Sequence, residues 1–273
     1  MGVKLNMLNI KEISLEQQEK DKENHIFQSV IFNHNDTNSK LLVEIKNVNK
    51  SFKKIFSKKE KVILKNVNFN IYEGEILSLL GSNGSGKTTL TEMISGISEP
   101  TSGKIIRNLS NNEKIGVQFQ DVSFPFGLTV KDVIDFQIQI SSNEIDKEEL
   151  EDMIKSFDIE PLLKNRASKL SGGQQQRLNV LIALMSKPKI LFLDEFTTGL
   201  DIAIRNQIKN YILKFIKKNN ITMVLISHDI DIIKDVPDRY VIIVEQTIKL
   251  DATKEQVNEV FGSIDNMINY YVR

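Results

Sequence analysis

Nine consecutive residues, Gly81-Ser82-Asn83-Gly84-Ser85-Gly86-Lys87-Thr88-Thr89, constrain this chain more than any other stretch. They fit G-x-x-x-x-G-K-[ST], follow a short apolar run from Glu75 to Leu80, and precede the helical pattern LTEMISGI. A strand, a glycine-rich loop and a helix in that order form the setting in which this motif wraps a phosphate. The glycines let backbone N–H groups turn inward at the positive end of the following helix. Lys87 is then placed to neutralise β- and γ-phosphate charge, and the Thr88 hydroxyl to reach Mg²⁺. Alone, the motif implies a P-loop nucleotide-binding fold and nothing narrower.

The rest of the chain is consistent with that fold. LLVEIKNVNKSF from Leu41, and VILKNVNFNIY after the lysine-rich turn, alternate apolar and polar residues as half-buried strands do. They predict an antiparallel side sheet. The apolar runs ending at Leu80, Leu193 and Ile226 read as buried parallel strands. Between the last two, Ile208 to Ile216 repeats at helical spacing, so the class is α/β with a largely parallel sheet. From about 121 to 169, Val130, Val133, Ile134 and Ile138, then Leu150, Met153, Ile154 and Phe157, recur at helical spacing and predict a small helical insert. Residues 1–40 are polar and read as an extension, with Ile26-Phe27 and Val30-Ile31-Phe32 as a segment that docks on the body or binds a partner. The main domain is expected over 41–250, with a helical tail over 251–273.

Ile190-Leu191-Phe192-Leu193-Asp194-Glu195 puts two acids at the carboxyl end of a buried strand, where open α/β sheets bind ligands. Asp194 is the candidate Mg²⁺ partner and Glu195 the candidate to polarise an attacking water. Net charge is zero, with 36 basic and 36 acidic residues, which argues against a dedicated nucleic-acid binder. The chain has no cysteine, and its histidines are the scattered His25, His34 and His228, so a Cys- or His-based metal centre is not expected. No apolar run approaches the roughly 20 residues that span a bilayer, and the first residues do not read as a signal peptide. A cytoplasmic location is expected.

Leu170-Ser171-Gly172-Gly173-Gln174-Gln175-Gln176-Arg177 narrows the reading. It resembles the signature of the ABC ATPase family, and it lies between the phosphate loop and the acid pair, as it does there. A serine hydroxyl and glycine N–H groups at a helix start make a second anion site. The resemblance implies that Ser171, Gly172, Gly173 and Gln174 reach the γ-phosphate held by the loop of a second subunit. Other family motifs follow in order. Gln120 matches the glutamine that senses Mg²⁺ and the γ-phosphate, and Thr198 to Asp201 the loop that communicates between two sites. His228 matches the histidine on the γ-phosphate, and Phe52 the aromatic that stacks on adenine, although a core role for Phe52 is the alternative from its position alone.

The resemblance covers about residues 41–250. It departs at Phe196, where proline is usual, at Ile182, where arginine is frequent, and at Glu245-Gln246-Thr247, which lacks a hairpin glycine. It implies ATP and Mg²⁺ as ligands, dimerisation with an identical or closely homologous subunit, and hydrolysis that energises separate polytopic membrane subunits from the cytoplasmic face. A soluble ABC ATPase serving iron–sulphur assembly is the alternative. Gly199 and the segment GVQFQDVSFPFGLTVKDVI resemble exporters with ABC-2-type membrane subunits. Within that segment, Phe124-Pro125-Phe126-Gly127-Leu128 is either a docking surface for the membrane subunit or a pair of rings packed on the insert.

Overall fold

The computed structural model describes residues 29–32, 39–53, 60–119, 123–141 and 145–272. In chain order, the first elements are β1 (Val30–Ile31), β2 (Leu41–Lys53), β3 (Glu60–Tyr72), β4 (Ile76–Leu80), α1 (Lys87–Ser95), β5 (Ser102–Arg107) and β6 (Ile115–Gln118). Helices α2 (Val130–Ile140) and α3 (Lys147–Ser156) and two 3₁₀ turns come next. Then follow α4 (Gly172–Met185), β7 (Ile190–Asp194), α5 (Ile202–Lys218), β8 (Thr222–Ile226) and α6 (Ile230–Asp235). The chain ends with β9 (Arg239–Val244), β10 (Thr247–Thr253), α7 (Lys254–Phe261) and α8 (Ile264–Tyr271). These elements form two compact units, one from residues 1–107 with 230–273, the other from 108–229.

In the first unit, β2 and β3 pair antiparallel as expected, with β5 on the far side of β2. Register shifts interrupt the expected alternation, so that Leu42 and Val43 are both buried. A second set runs β1-β10-β9-β4, with β4 parallel to β9 and β1 parallel to β10. Strand β1 brings Val30, and Phe32 beside it, onto an apolar cluster with Leu250, Phe261, Tyr270 and Tyr271. Of the N-terminal extension, residues 29–32 therefore dock; its polar stretch and Ile26-Phe27 lie outside the described residues. The expected helical tail begins later than the sequence reading placed it. Asp251 to Thr253 complete β10, because Leu250 and Ala252 are buried on its inner face. The Thr253 hydroxyl then caps α7, accepting from the Gln256 N–H.

Arg239, at the start of β9, is 2% exposed. Its guanidinium donates to both oxygens of Asp251 at 2.7 and 2.8 Å and also to Glu75 and the Asn70 carbonyl. Burial pushes the Glu75 carboxyl above its ordinary value despite that guanidinium. A buried charge left alone is costly, so this network fastens β3, β4, β9 and β10 to one another.

The hairpin between β9 and β10 turns at Glu245 and Gln246, with φ of 48° and 70°. Both sit in the left-handed region that a two-residue hairpin demands and that glycine usually supplies. The Gln246 carbonyl accepts from the Lys65 N–H at 2.8 Å, an anchor for the strained turn.

In the second unit, β6, β7 and β8 pair parallel in register. Every residue of β7 is buried, which is why its sequence is a continuous apolar run ending in an acid. The fold is α/β with mainly parallel strand pairs and an antiparallel side sheet, as the sequence implied. Helix α2 opens with a capping box between Thr129 and Asp132, and α3 packs the buried Met153 inward. Both helices lie in the stretch read as the insert. Ile138 does not join the core of α2; it is 39% exposed. Arg177 on α4 reaches the carbonyls of Phe157 and Asp158, fastening the end of α3 to the signature helix.

Candidate functional site

The chemistry-bearing residues fall in both units. In the first, β4 delivers the chain into the loop at Gly81, and α1 starts at Lys87. A Cβ on Gly81 would lie 2.5 Å from the Ile243 carbonyl and 2.6 Å from Ser85 Oγ, so only glycine lets the loop fold this tightly against β9. Gly84 has nothing within 4 Å of its would-be Cβ, leaving the loop open above it. Ser82 and Asn83 are exposed, as is Thr88. The N-cap Gly86 makes no side-chain cap, and the Ser85 hydroxyl is buried without a partner. Lys87 Nζ lies on the Gly81 and Ser82 carbonyls at 2.8 and 3.2 Å, folded across the loop. Uncapped helix N–H groups, an unpaired buried hydroxyl and an ammonium held on the loop fit a polyphosphate.

Phe52, at the end of β2 opposite Lys61, is 50% exposed. It is therefore not a core residue, and its ring, with Lys50 Nζ 5.1 Å from the centroid, is available to a planar ligand.

In the second unit, β7 ends in buried Asp194, and Glu195 follows with φ of 53°. The Glu195 N–H donates to the Ile226 carbonyl at 2.9 Å, which pins the strained residue to β8. The Gln176 side chain donates to its carbonyl, and the Thr198 hydroxyl to its Oε2 at 3.4 Å. Oε1 is buried without a hydrogen-bond partner, and His228 Nε2 lies 3.8 Å from it. Burial, chiefly, raises the Glu195 pKa above its ordinary 4.5, with Asp194 adding to the shift and His228 opposing it. A carboxylate raised in this way is a stronger base than one in water.

The same shift has a consequence for stability. A group whose folded pKa exceeds its unfolded one favours folding only when protonated. That contribution is complete below the unfolded value and is lost as pH rises through the folded value. Glu195→Gln should therefore raise the melting temperature at about pH 8, with the gain shrinking towards about pH 4. Equal melting temperatures for the two proteins at about pH 8 would contradict the burial account of this carboxylate.

Ser171 is the N-cap of α4, its hydroxyl accepting from the Gln174 N–H while the Gln174 side chain accepts from the Ser171 N–H. Gly172 opens onto free space. A Cβ on Gly173 would lie 2.5 Å from the Gly199 carbonyl, so the signature helix and the Thr198–Asp201 loop meet through bare backbone. Asp201 caps α5, its Oδ1 accepting from the Ile204 N–H at 3.0 Å. Phe196, in place of the usual proline, is buried, and Ile182 is partly buried. Gln120 lies outside the described residues. Phe126 is 83% exposed beneath the Arg166 guanidinium, 5.9 Å away, whereas Phe124 is partly buried.

Sequence reasoning missed Gln118, which is wholly buried at the end of β6 and accepts from the Asp194 N–H at 3.1 Å. Its place two residues before Gln120 carried no signal of this contact, which depends on β6 lying beside β7. No cluster of three His, Cys, Asp or Glu capable of holding a metal occurs among the described residues.

Residues 64–198 match the family model described as "ABC transporter". The chain is 32% identical over 225 residues to the spermidine/putrescine import ATP-binding protein PotA of Mycoplasma mycoides, covering 79% of this chain and 62% of that one. It is 34% identical over 211 residues to the methionine import ATP-binding protein MetN 2 of Oceanobacillus iheyensis, covering 71% of this chain and 61% of that one. The chain thus spans less than two thirds of the length of these curated relatives. Among solved structures, a dimeric ATP-binding cassette in a post-hydrolysis state, bound to ADP and Pi, matches with a TM-score of 0.68 and 28% identity. That match covers 78% of this chain and 98% of the other. With the phosphate loop, acid pair and signature in family order and the cassette fold around them, the chain belongs to the ABC ATPase family.

Proposed function

We propose that this chain is the ATP-hydrolysing subunit of an ABC transporter, working as a dimer on separate membrane-spanning subunits. The observation that carries the reading is the loop from Gly81 to Lys87, folded as a phosphate cradle with Lys87 drawn over it. In this reading the cradle binds the ATP phosphates, Phe52 stacks on adenine, and Thr88, Asp194 and Gln120 hold Mg²⁺. Bound Mg²⁺ would neutralise charge on the β- and γ-phosphate oxygens. Glu195 takes the proton of the attacking water, and His228 orients the γ-phosphate. Ser171, Gly172, Gly173 and Gln174 bind the γ-phosphate on the partner copy, while Asp201 fixes the loop between the two sites.

Steady phosphate release from MgATP by the full chain, abolished by chelation, is the expected result; no release above background would overturn the reading. Phe52→Ala should weaken ATP by about 1–3 kcal/mol, by analogy with bases stacked on aromatic side chains. Equal affinities by calorimetry would remove Phe52 from the adenine site.

No helix among the described residues is long and apolar enough to cross a membrane, so the proposal places the chain as a peripheral subunit. Relatives named for transport favour this over the iron–sulphur assembly reading. Because those names are of importers, they lend no support to the export direction or the ABC-2-type partner expected from the sequence. The exposed Phe126 region is proposed to receive a short helix of the membrane subunit. Phe124→Ala with Phe126→Ala should leave basal turnover and melting temperature near those of the natural chain while abolishing co-purification with that subunit. A collapse in melting temperature would show the rings to be structural.

A further inference from the structure

Three side-chain amides, those of Gln118, Gln176 and Asn179, hold the backbone of the acid pair and of Phe119. Gln118, the last residue of β6, pairs with Leu193 in the β6–β7 ladder. Its Oε1 accepts from the Asp194 N–H at 3.1 Å, which extends the ladder by one rung through a side chain. Its Nε2 donates to the Phe119 carbonyl at 2.7 Å. Asn179, on α4, donates to the same carbonyl at 3.0 Å. Gln176, one turn earlier on the same face of α4, donates to the Glu195 carbonyl at 2.9 Å. Helix α4 begins at the signature serine, and Phe119 immediately precedes Gln120.

Packing alone does not account for Gln118. Its side chain is wholly buried beside the wholly buried Leu193 and Phe192, where an apolar residue would cost no desolvation. A polar side chain is kept in such a place when its hydrogen bonds fix something that packing cannot. Here they fix the peptide groups that aim Asp194 and lead into Gln120.

We propose that Gln118, Gln176 and Asn179 form an amide clamp that ties the signature helix to the backbone of the acid pair and of the strand leading to Gln120. Through it, a γ-phosphate engaging Ser171 draws Asp194 and Glu195 into register, giving that engagement a differential contact with the hydrolytic residues. The three amides are positioning residues, and their role rests on the hydrolytic reading above.

The test compares the full chain with Gln118→Met, Asn179→Ala and the double variant for ATP turnover, ATP affinity and melting temperature. Methionine keeps the length of Gln118 without its hydrogen bonds, and Asn179 is only half-buried, so Asn179→Ala is the safer variant to fold. Each single change should lower kcat on the order of five- to ten-fold, the scale of one or two lost hydrogen bonds in the reacting state. ATP affinity should change by less than about two-fold, because the cradle is untouched. The double variant should be little worse than the worse single, since both amides hold one carbonyl. Natural kcat in both single variants would overturn the clamp, as would lowered melting temperatures with unchanged turnover per folded molecule. If the natural chain releases phosphate, Glu195→Gln does not, and the clamp variants are unaffected, the clamp alone falls. If the natural chain releases none, the functional reading falls and the clamp with it.

Discussion

Glu195→Gln is expected to bind MgATP as tightly as the natural chain while its steady-state turnover falls below about a tenth, on the scale of a lost general base. The expectation follows from the division of roles among the polar groups. In the proposed site Lys87 and the loop glycines would bear on phosphate charge, and Asp194 and Thr88 on the metal, so removing any of them should disturb binding as well as chemistry. Glu195 is different. Its peptide is pinned to β8 and to the signature helix, its Oε1 makes no hydrogen bond but faces His228 at 3.8 Å, and burial has raised its pKa. Glutamine preserves the shape and those backbone contacts and removes only the capacity to take a proton. Phosphate release and nucleotide affinity on the same preparation check this, and turnover above a tenth of natural would reassign the base.

ATP, and not ADP, should convert the Glu195→Gln chain from monomer to two-fold dimer. The signature at the start of α4 offers a capped serine hydroxyl and an unobstructed Gly172, which are donors for an anion that the family resemblance places on another copy. The γ-phosphate is the group that ADP lacks. A self-complementary pairing uses each copy's cradle and signature once, which closes the assembly at two. Light scattering at micromolar protein should give twice the monomer mass with ATP and the monomer mass with ADP. A monomer with saturating ATP would contradict the pairing.

Much of this was legible in the sequence because the relevant signals are local. Strands β4, β7 and β8 announce themselves as apolar runs, since a parallel strand buried on both faces has no polar side to show. The signature marks the start of α4 through its serine and glycines. What stayed hidden depends on partners distant in the chain. Arg239 reads as a surface residue until Asp251 and Glu75 come into contact with it. Gln118 reads as a neighbour of Gln120 until β6 lies beside β7. The β9–β10 turn is placed by the resemblance, but its conformation is not, because Glu245 and Gln246 take the positive φ that glycine usually supplies. The tail boundary shifted because the Thr253 cap, rather than the end of the family resemblance, decides where α7 begins.

In the proposed dimer a cradle on one copy and a signature on the other complete one site, and a cross-link tests this most directly. The natural chain has no cysteine, so two introduced thiols report on the designed pair alone. Copies carrying Asn83→Cys, an exposed loop position, would be mixed with copies carrying Ser171→Cys, both in the Glu195→Gln background, and treated with a short thiol-to-thiol cross-linker. Cross-linked dimer that forms with MgATP, and is absent with MgADP or from either variant alone, is the expected result. Equal yields with and without ATP, or no cross-linked species from a mixture that has bound ATP, would contradict the shared site.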